Sequence, residues 1–329
     1  MRLTTIQSIK KAHSQKIPAC ESDDISDYLH GKFTLRLREQ FKRKVVRAVA
    51  PMVLQLQQPW LRRLIKSPLP SNSLICLEER FGDDASKAAL LKLVAPKKIS
   101  SVLIPGCFLA GEDVQFWLRR GIARLDGIDI NNLEKRWQDI LPQLKSSYGC
   151  EVHFQQAPIE ALPFEAGTFD LISSNAVLEH VQNVHAMCSE TARVLRPGGW
   201  AWHSVGPLYY SFSGDHCIAA YGMQAGFDHL LLDEEIYQKR IQDQAFYDTQ
   251  PDPNCVFWAR KEQFSFATSQ EYLDLFAEYF HIRHIVVKVS SEALKFRREF
   301  PEKWSNLVRS GMNESDLLIK GLSLVLQRK

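Results

Sequence analysis

The chain has 329 residues, 45% of them hydrophobic and 24% charged, with a formal net charge of +3. That length exceeds a single typical core of about 100–200 residues, so one large domain with additions, or two domains, is expected, and the composition excludes disorder over the whole chain. Seven cysteines without a C-x-x-C pair argue against a disulfide framework and a cysteine-rich zinc site, and neither an apolar leader nor a run of about 20 apolar residues is present, all of which points to a reducing cytoplasm.

Residues 1 to about 30 are polar and weakly patterned. From Phe33 to about Leu64, apolar residues recur at helical spacing (Leu35, Leu37, Phe41, Val45, Val46, Val49), with Pro51 placed to kink or end the helix. Charge is concentrated here: Lys32, Arg36, Arg38, Lys42, Arg43, Lys44, Arg47, Arg62, Arg63 and Lys66 face one acid, Glu39. Such a run is either the solvated face of helices or a footprint for an anionic partner: nucleic acid, an acidic membrane surface or a phosphorylated substrate. Ser67 to Ser73, with Pro68 and Pro70, is a linker by composition. A helix is expected over Asp84 to Val94. Residues 1–95 are thus expected to form a helical, basic extension.

Strands and helices then alternate, the signature of α/β architecture. Strands are expected at Ser101–Pro105, Arg124–Ile130, Glu151–Gln155, Phe169–Ser174 and Trp200–Val205. The helices between them are expected at about 111–120, 132–146 and 183–195. After Gly206 the pattern breaks for roughly 55 residues, a length that in a compact domain usually carries function, so a lid or substrate insertion is expected at about 206–265. A helix at Gln270–Tyr279, a strand at His284–Val289, a helical stretch from Glu292 to about Leu307 and a strand at Gly321–Leu326 complete a domain expected over 96–329.

Five stretches stand in order: Val102-Leu103-Ile104-Pro105-Gly106-Cys107, Gly127-Ile128-Asp129-Ile130, Phe169-Asp170-Leu171-Ile172, Val177-Leu178-Glu179-His180 and Val194-Leu195-Arg196-Pro197-Gly198-Gly199. In this order the chain resembles the class I S-adenosylmethionine-dependent methyltransferases, methyltransferase type 11-like. The resemblance implies a Rossmann-like α/β fold, a seven-stranded mostly parallel sheet with helices on both faces and the last strand antiparallel. It also implies S-adenosylmethionine held at the carboxyl ends of the strands.

The cofactor residues expected from the resemblance are Pro105, Gly106, Cys107 and Gly111 in the first loop, Asp129 and Ile130 after the second strand, Ile159, and Ser174 with Asn175. A carboxylate such as Asp129 at a strand end accepts both ribose hydroxyls; the competing reading has it capping the next helix, for which Asn131 is the better-placed residue. The backbone of Ile159 would meet adenine, while the Ser174 carbonyl and Asn175 amide would meet the ammonium group. The chain departs from the family pattern at Ile104, where an acid is usual, at Phe108 and Ala110, where glycines are usual, and at Pro158, where the adenine-binding acid is usual.

Methyl transfer needs alignment and exclusion of water, and a general base only where the nucleophile is protonated. His216, Asp215 and His203 are the candidate catalytic residues, with Gly214-Asp215-His216 the most suggestive group because an acid beside an imidazole orients or charges it. His180 is tempting by position, but the resemblance implies a structural role there. Aromatic residues Trp202, Tyr209, Tyr210, Phe212 and Tyr221 are expected to wall a pocket. Asp215, His216, Asp228 and His229 have no spacing typical of a metal site, so no metal is expected. The function expected is methyl transfer to oxygen or nitrogen of a small molecule or glycan precursor. The alternatives are a non-catalytic binding or scaffold module on the same frame, or a methyltransferase that engages nucleic acid through the basic segment.

Overall fold

The strands at the centre of the sheet are buried on both faces, as a sheet needs when helices cover both of its sides. The computed structural model describes residues 52, 55–77, 79–95, 99–216, 222–241 and 264–329; the basic residues from Lys32 to Arg47 and Tyr221 lie outside them. Eight strands form one sheet: β1 (Leu74–Cys76), β2 (Ser101–Pro105), β3 (Arg124–Asp129), β4 (Glu151–Gln156), β5 (Phe169–Asn175), β6 (Leu195–Val205), β7 (Phe280–Val289) and β8 (Ile319–Arg328). Their order is β1-β7-β8-β6-β5-β2-β3-β4. β8 runs antiparallel to both β6 and β7, while the other pairings are parallel.

The expected α/β fold is present, with one strand more than expected. β1 adds to the outer edge beside β7, and at three residues it is too short to show a period. Gln58 meets its outer edge: the side-chain amide accepts the Ile75 N–H at 3.0 Å and donates to the Ile75 carbonyl at 2.6 Å. A side-chain amide thereby blocks the template that an open edge presents. Within residues 1–95, expected to be helical, Leu74–Cys76 thus forms a strand of the sheet.

Alternation within the strands divides the core. Leu103 and Ile172 point into one layer, and Val102, Ile104 and Leu171 into the other. The second layer lies under α1 (Glu79–Val94), α2 (Glu112–Leu118) and α3 (Glu134–Tyr148), with Trp117, Trp137, Trp200 and Trp202 in it. The first is closed by α4 (Val184–Val194), α7 (Ser269–Tyr279), α8 (Ser291–Glu299), α9 (Pro301–Arg309) and α10 (Glu314–Leu318). Between α4 and α7 in the chain come α5 (Asp228–Leu231) and α6 (Glu234–Ile241). Local chemistry sets several ends: Thr268 and Glu271 make a reciprocal capping box on α7. The helical stretch expected from Glu292 to Leu307 is two helices, because Pro301 has no N–H to continue α8 and instead opens α9.

The described part of the 206–265 region is built into the core. Phe212 and Phe227 are buried and pack edge-on against one another at 5.5 Å, and Phe227 meets Phe296 of α8 at 5.0 Å and Trp304 of α9 at 5.8 Å. On the opposite face, Lys288 of β7 is only 1% exposed. Its ammonium pairs with Asp83 of α1 at 2.9 Å and donates to Ser204 Oγ at 2.7 Å. Those partners are what let a charge stay in the core.

Candidate functional site

β2 and β3 end side by side, and the segments following them form the first half of the site. Gly106 sits at φ +69°, where a Cβ would lie 2.3 Å from Val177 Cγ2, so this turn requires glycine. The next two family glycine positions are filled by side chains, yet the backbone keeps left-handed values: φ is +40° at Phe108 and +60° at Ala110. The loop therefore retains a glycine-type course without the glycines, at a cost of about 1–2 kcal/mol per residue. Gly111 is different. Its φ is −63° and a Cβ would meet nothing within 4 Å, so no protein contact demands glycine there.

Asp129 holds this loop from below. Its Oδ2 accepts the Phe108 N–H at 3.0 Å, and Oδ1 accepts both the backbone N–H and the side-chain amide of Asn131 at 2.9 Å. Burial pushes the Asp129 carboxyl up from the usual carboxylate range, and the donors from Asn131, Phe108 and Ile130 pull against that rise. Further bonds fix the loop: Cys107 N–H to the Ile128 carbonyl at 3.0 Å, and Trp137 Nε1–H to the Phe108 carbonyl at 2.7 Å. Asp129 is not a helix cap, and neither is Asn131, whose amide turns back to Asp129. The residue preceding α3 is Leu133, which makes no capping bond.

Pro105 closes β2 inside the core, and Ile130 leaves 46% of its surface open beside Asp129. Ile159 is buried in the first core layer, so only its backbone is open to the role expected of it. Glu160, next to it, accepts backbone N–H groups of Gln182 and Asn183, while burial pushes its carboxyl up. That acid joins the segment after β4 to the start of α4.

At the end of β5, Asn175 is exposed and Ala176 has φ +54°. The Ser174 hydroxyl points the other way, into the core, where it meets His203 Nδ1 at 2.7 Å. His203 is fully buried, stacked on Phe276 at 5.7 Å, and burial brings its pKa down to about 3. Among the expected bases His203 is the one set in the core: its parity on β6 turns the ring under α7, among core side chains. A base must reach the proton it takes, directly or through one water.

The other two candidates join a cluster beyond β5. His216 lies against His180 at 5.1 Å and Phe264 at 5.3 Å between ring centres, and Tyr209 meets Phe264 at 5.6 Å. Burial first, then the neighbouring charges of His180, Lys320 and His229, bring the His216 pKa down to about 3. Its Nε2 makes no hydrogen bond among the described residues. Asp215 faces elsewhere: it accepts Tyr237 Oη–H at 2.8 Å, and His229 Nδ1 lies 3.8 Å away. Asp215 and His216 thus turn to different partners, Tyr237 for one and His180 with Phe264 for the other, with His229 near both.

A tight coil produces that division. Gly214 is wedged so that a Cβ would sit 2.2 Å from the Tyr209 carbonyl oxygen, and Ser213 and His216 flank it at φ +57° and +63°. Sequence reasoning missed Tyr237 and Phe264, which come from distant segments without a motif, and placed His180 outside the chemistry. Of the expected aromatic wall, Tyr209 belongs to this cluster, whereas Phe212 and Trp202 pack in the two core layers. Among the described residues no group of three or more His, Cys, Asp or Glu is arranged to hold a metal ion.

Comparison with known proteins places this geometry. The chain is 33% identical over 116 residues to a malonyl-[acyl-carrier protein] O-methyltransferase of Salmonella typhimurium, covering 35% of this chain and 42% of that protein. It is 33% identical over 57 residues to a ubiquinone biosynthesis O-methyltransferase of Bordetella avium, covering 17% of this chain and 24% of that one. The chain thus spans less than half the length of the curated relatives it matches. Among solved structures, a putative sarcosine dimethylglycine methyltransferase from Galdieria sulphuraria superposes with a TM-score of 0.45 at 17% identity, over 74% of this chain and 84% of that one. Residues 103–202 match the family described as "Methyltransferase domain", and this span runs from β2, through the Gly106 turn, Asp129 and the end of β5, into β6. The chain therefore carries a class I S-adenosylmethionine-dependent methyltransferase domain.

Proposed function

We propose that the protein binds S-adenosylmethionine across the Gly106 loop and Asp129, and transfers its methyl group to oxygen or nitrogen of a small molecule or glycan precursor. The observation that carries this reading is the left-handed backbone at Phe108 and Ala110 above Asp129, a glycine-loop geometry maintained against its conformational cost. S-adenosylmethionine supplies an electrophilic methyl group on a sulfonium that is its own leaving group. The protein's part is to bind, align and exclude water.

In this reading Asp129 accepts the ribose hydroxyls, and Ile130 offers its open apolar surface to the adenine. The backbone of Pro105, Gly106 and Cys107 approaches the amino-acid portion, with Gly111 leaving room beside it. The Ser174 carbonyl and Asn175 amide receive the ammonium group. The acceptor enters from the side of His180, His216, Tyr209 and Phe264. There His216 Nε2 takes a hydrogen bond from the acceptor's hydroxyl or amine and holds its lone pair toward the methyl group. Asp215, through Tyr237 and His229, fixes the coil that carries His216. Cytoplasmic residence belongs to the same proposal; among the described residues no helix is long and apolar enough to cross a membrane.

Calorimetric titration with S-adenosylmethionine and S-adenosylhomocysteine tests the cofactor half. Micromolar binding is expected, weakened about a hundredfold by Asp129→Ala, the loss of roughly 2–3 kcal/mol for a charge-assisted acceptor. An affinity unchanged by Asp129→Ala refutes the ribose assignment. Absence of binding at millimolar ligand favours a non-catalytic module.

A further inference from the structure

The helical stretch over 55–64 has two apolar faces, and the body of the protein uses one. Leu61 and Ile65 are buried in the first core layer, Gln58 covers the β1 edge, and Arg62 donates to the Ser71 and Ser73 carbonyls. Residues advance by about 100° each around a helix axis, which places these four together and Leu56, Trp60 and Arg63 together on the opposite side. Met52 repeats the four-residue spacing. On that side Leu56 and Trp60 are 74% and 48% exposed, and Met52, four residues before Leu56, is 60% exposed, large side chains close in sequence rather than the single scattered ones of ordinary surface.

Cations accompany the row in sequence. Arg63 lies within it and Lys66 follows, its side chain 77% exposed even while paired with Glu314 at 3.4 Å. The preceding sequence adds Lys32, Arg36, Arg38, Lys42, Arg43, Lys44 and Arg47 against Glu39; these lie outside the described residues, and only their charge enters the argument. An apolar row containing tryptophan and edged by cations matches a surface that is greasy beneath and anionic above.

We infer that this face of residues 52–66 docks the protein on an anionic phospholipid bilayer. Leu56 and Trp60 enter the boundary between headgroups and acyl chains, and Arg63 and Lys66 meet lipid phosphates. A nucleic acid would satisfy the cations but leave Met52 and Leu56 in water, and a second copy seated on the row would bring Arg63 against its own counterpart. The bilayer satisfies both features, since apolar burial and attraction to anionic lipid add in interfacial helices.

Co-sedimentation of the full chain with vesicles tests this, using phosphatidylcholine alone and phosphatidylcholine mixed with phosphatidylglycerol. Binding is expected to the mixed vesicles only, and to weaken as salt is raised. The double variant Leu56→Ser with Trp60→Ser, and separately Arg63→Glu, should each bind at least about tenfold more weakly with unchanged thermal melts, because these side chains project into solvent. The inference is overturned if mixed vesicles do not bind at low salt, or if both variants bind as the parent does. It is equally overturned if light scattering finds a dimer that the Leu56/Trp60 variant dissociates, or if RNA binds in a salt-sensitive manner where vesicles do not.

Discussion

Replacing Gly106 by alanine perturbs the cofactor loop at its tightest point, and the structure sets the size of the effect. The φ of +69° costs an alanine about 1–2 kcal/mol. Its Cβ would also lie 2.3 Å from Val177 Cγ2, where carbon atoms prefer about 3.5–4.0 Å. Val177 is β-branched and has few rotamers to retreat to, so overpacking adds about 1–3 kcal/mol, for a total of roughly 2–5 kcal/mol. Val177→Ala deletes the clashing atom and leaves Val177 Cβ at 3.5 Å, an ordinary contact. In the double variant the overpacking part should return and the backbone part should remain. Urea unfolding of the parent, both single variants and the double variant measures the coupling, expected at about 1–3 kcal/mol. Single effects that sum to within about 0.5 kcal/mol would refute the claim that Val177 is what requires glycine here.

Three further predictions concern buried polar groups. His203, held neutral with a pKa near 3 against an ordinary 6.5, gains no proton on acidification until far below the pH at which an unfolded histidine does. The unfolded chain therefore binds more protons between those values, and stability falls as pH drops through that window by about 1.4 kcal/mol per unit. His203→Gln should remove one such contribution, so an unchanged slope in acid unfolding titrations contradicts the burial argument. Lys288→Met should cost roughly 1–3 kcal/mol, because Asp83 loses its cation but keeps the Ser323 hydroxyl and a side chain 27% exposed, and adding Asp83→Asn should recover part of it; melts of both variants decide. His216→Asn, assayed with an accepted substrate, should lower kcat by about tenfold to a hundredfold with cofactor affinity unchanged. A lowered cofactor affinity would place His216 elsewhere than proposed.

What was legible in the sequence was whatever repeats or ends locally. The alternation from Ser101 to Val205 could be read because the strands end at turns and three of the four gaps between them hold a helix, and Asp129 because a carboxylate at a strand end is a local fact. β1 could not, since Leu74–Cys76 gains its identity only from pairing with β7. The break at Pro301 was available and was passed over in favour of a continuous period. Lys288 also gave a signal, a lone cation in Ile285-Val286-Val287-Lys288-Val289, which demands a partner but does not say that Asp83 is the one. His203 and His216 looked alike as titratable residues after β5. Their separation depends on strand parity for one and on a coil with two left-handed residues for the other, and neither is visible without the backbone.

The departures from the family pattern are therefore of different kinds. Glycine at the positions of Phe108 and Ala110 is needed for a backbone conformation, and the backbone has that conformation, so what those glycines provide survives their loss. The usual acid at Ile104 provides a side chain, and nothing in a backbone replaces it: Ile104 is buried in the second core layer with Val102 and offers no acceptor. In the proposed site the acceptors for the ammonium group come from the neighbouring strand, at the end of β5, where the Ser174 hydroxyl is committed to His203 and the Ser174 carbonyl and the exposed Asn175 amide are the groups assigned to it. The proposed cofactor site thus moves the contact usually made by a side chain at the end of β2 to the end of β5, and it makes Asn175, beside the Ser174 carbonyl, the side chain on which binding of the ammonium group depends.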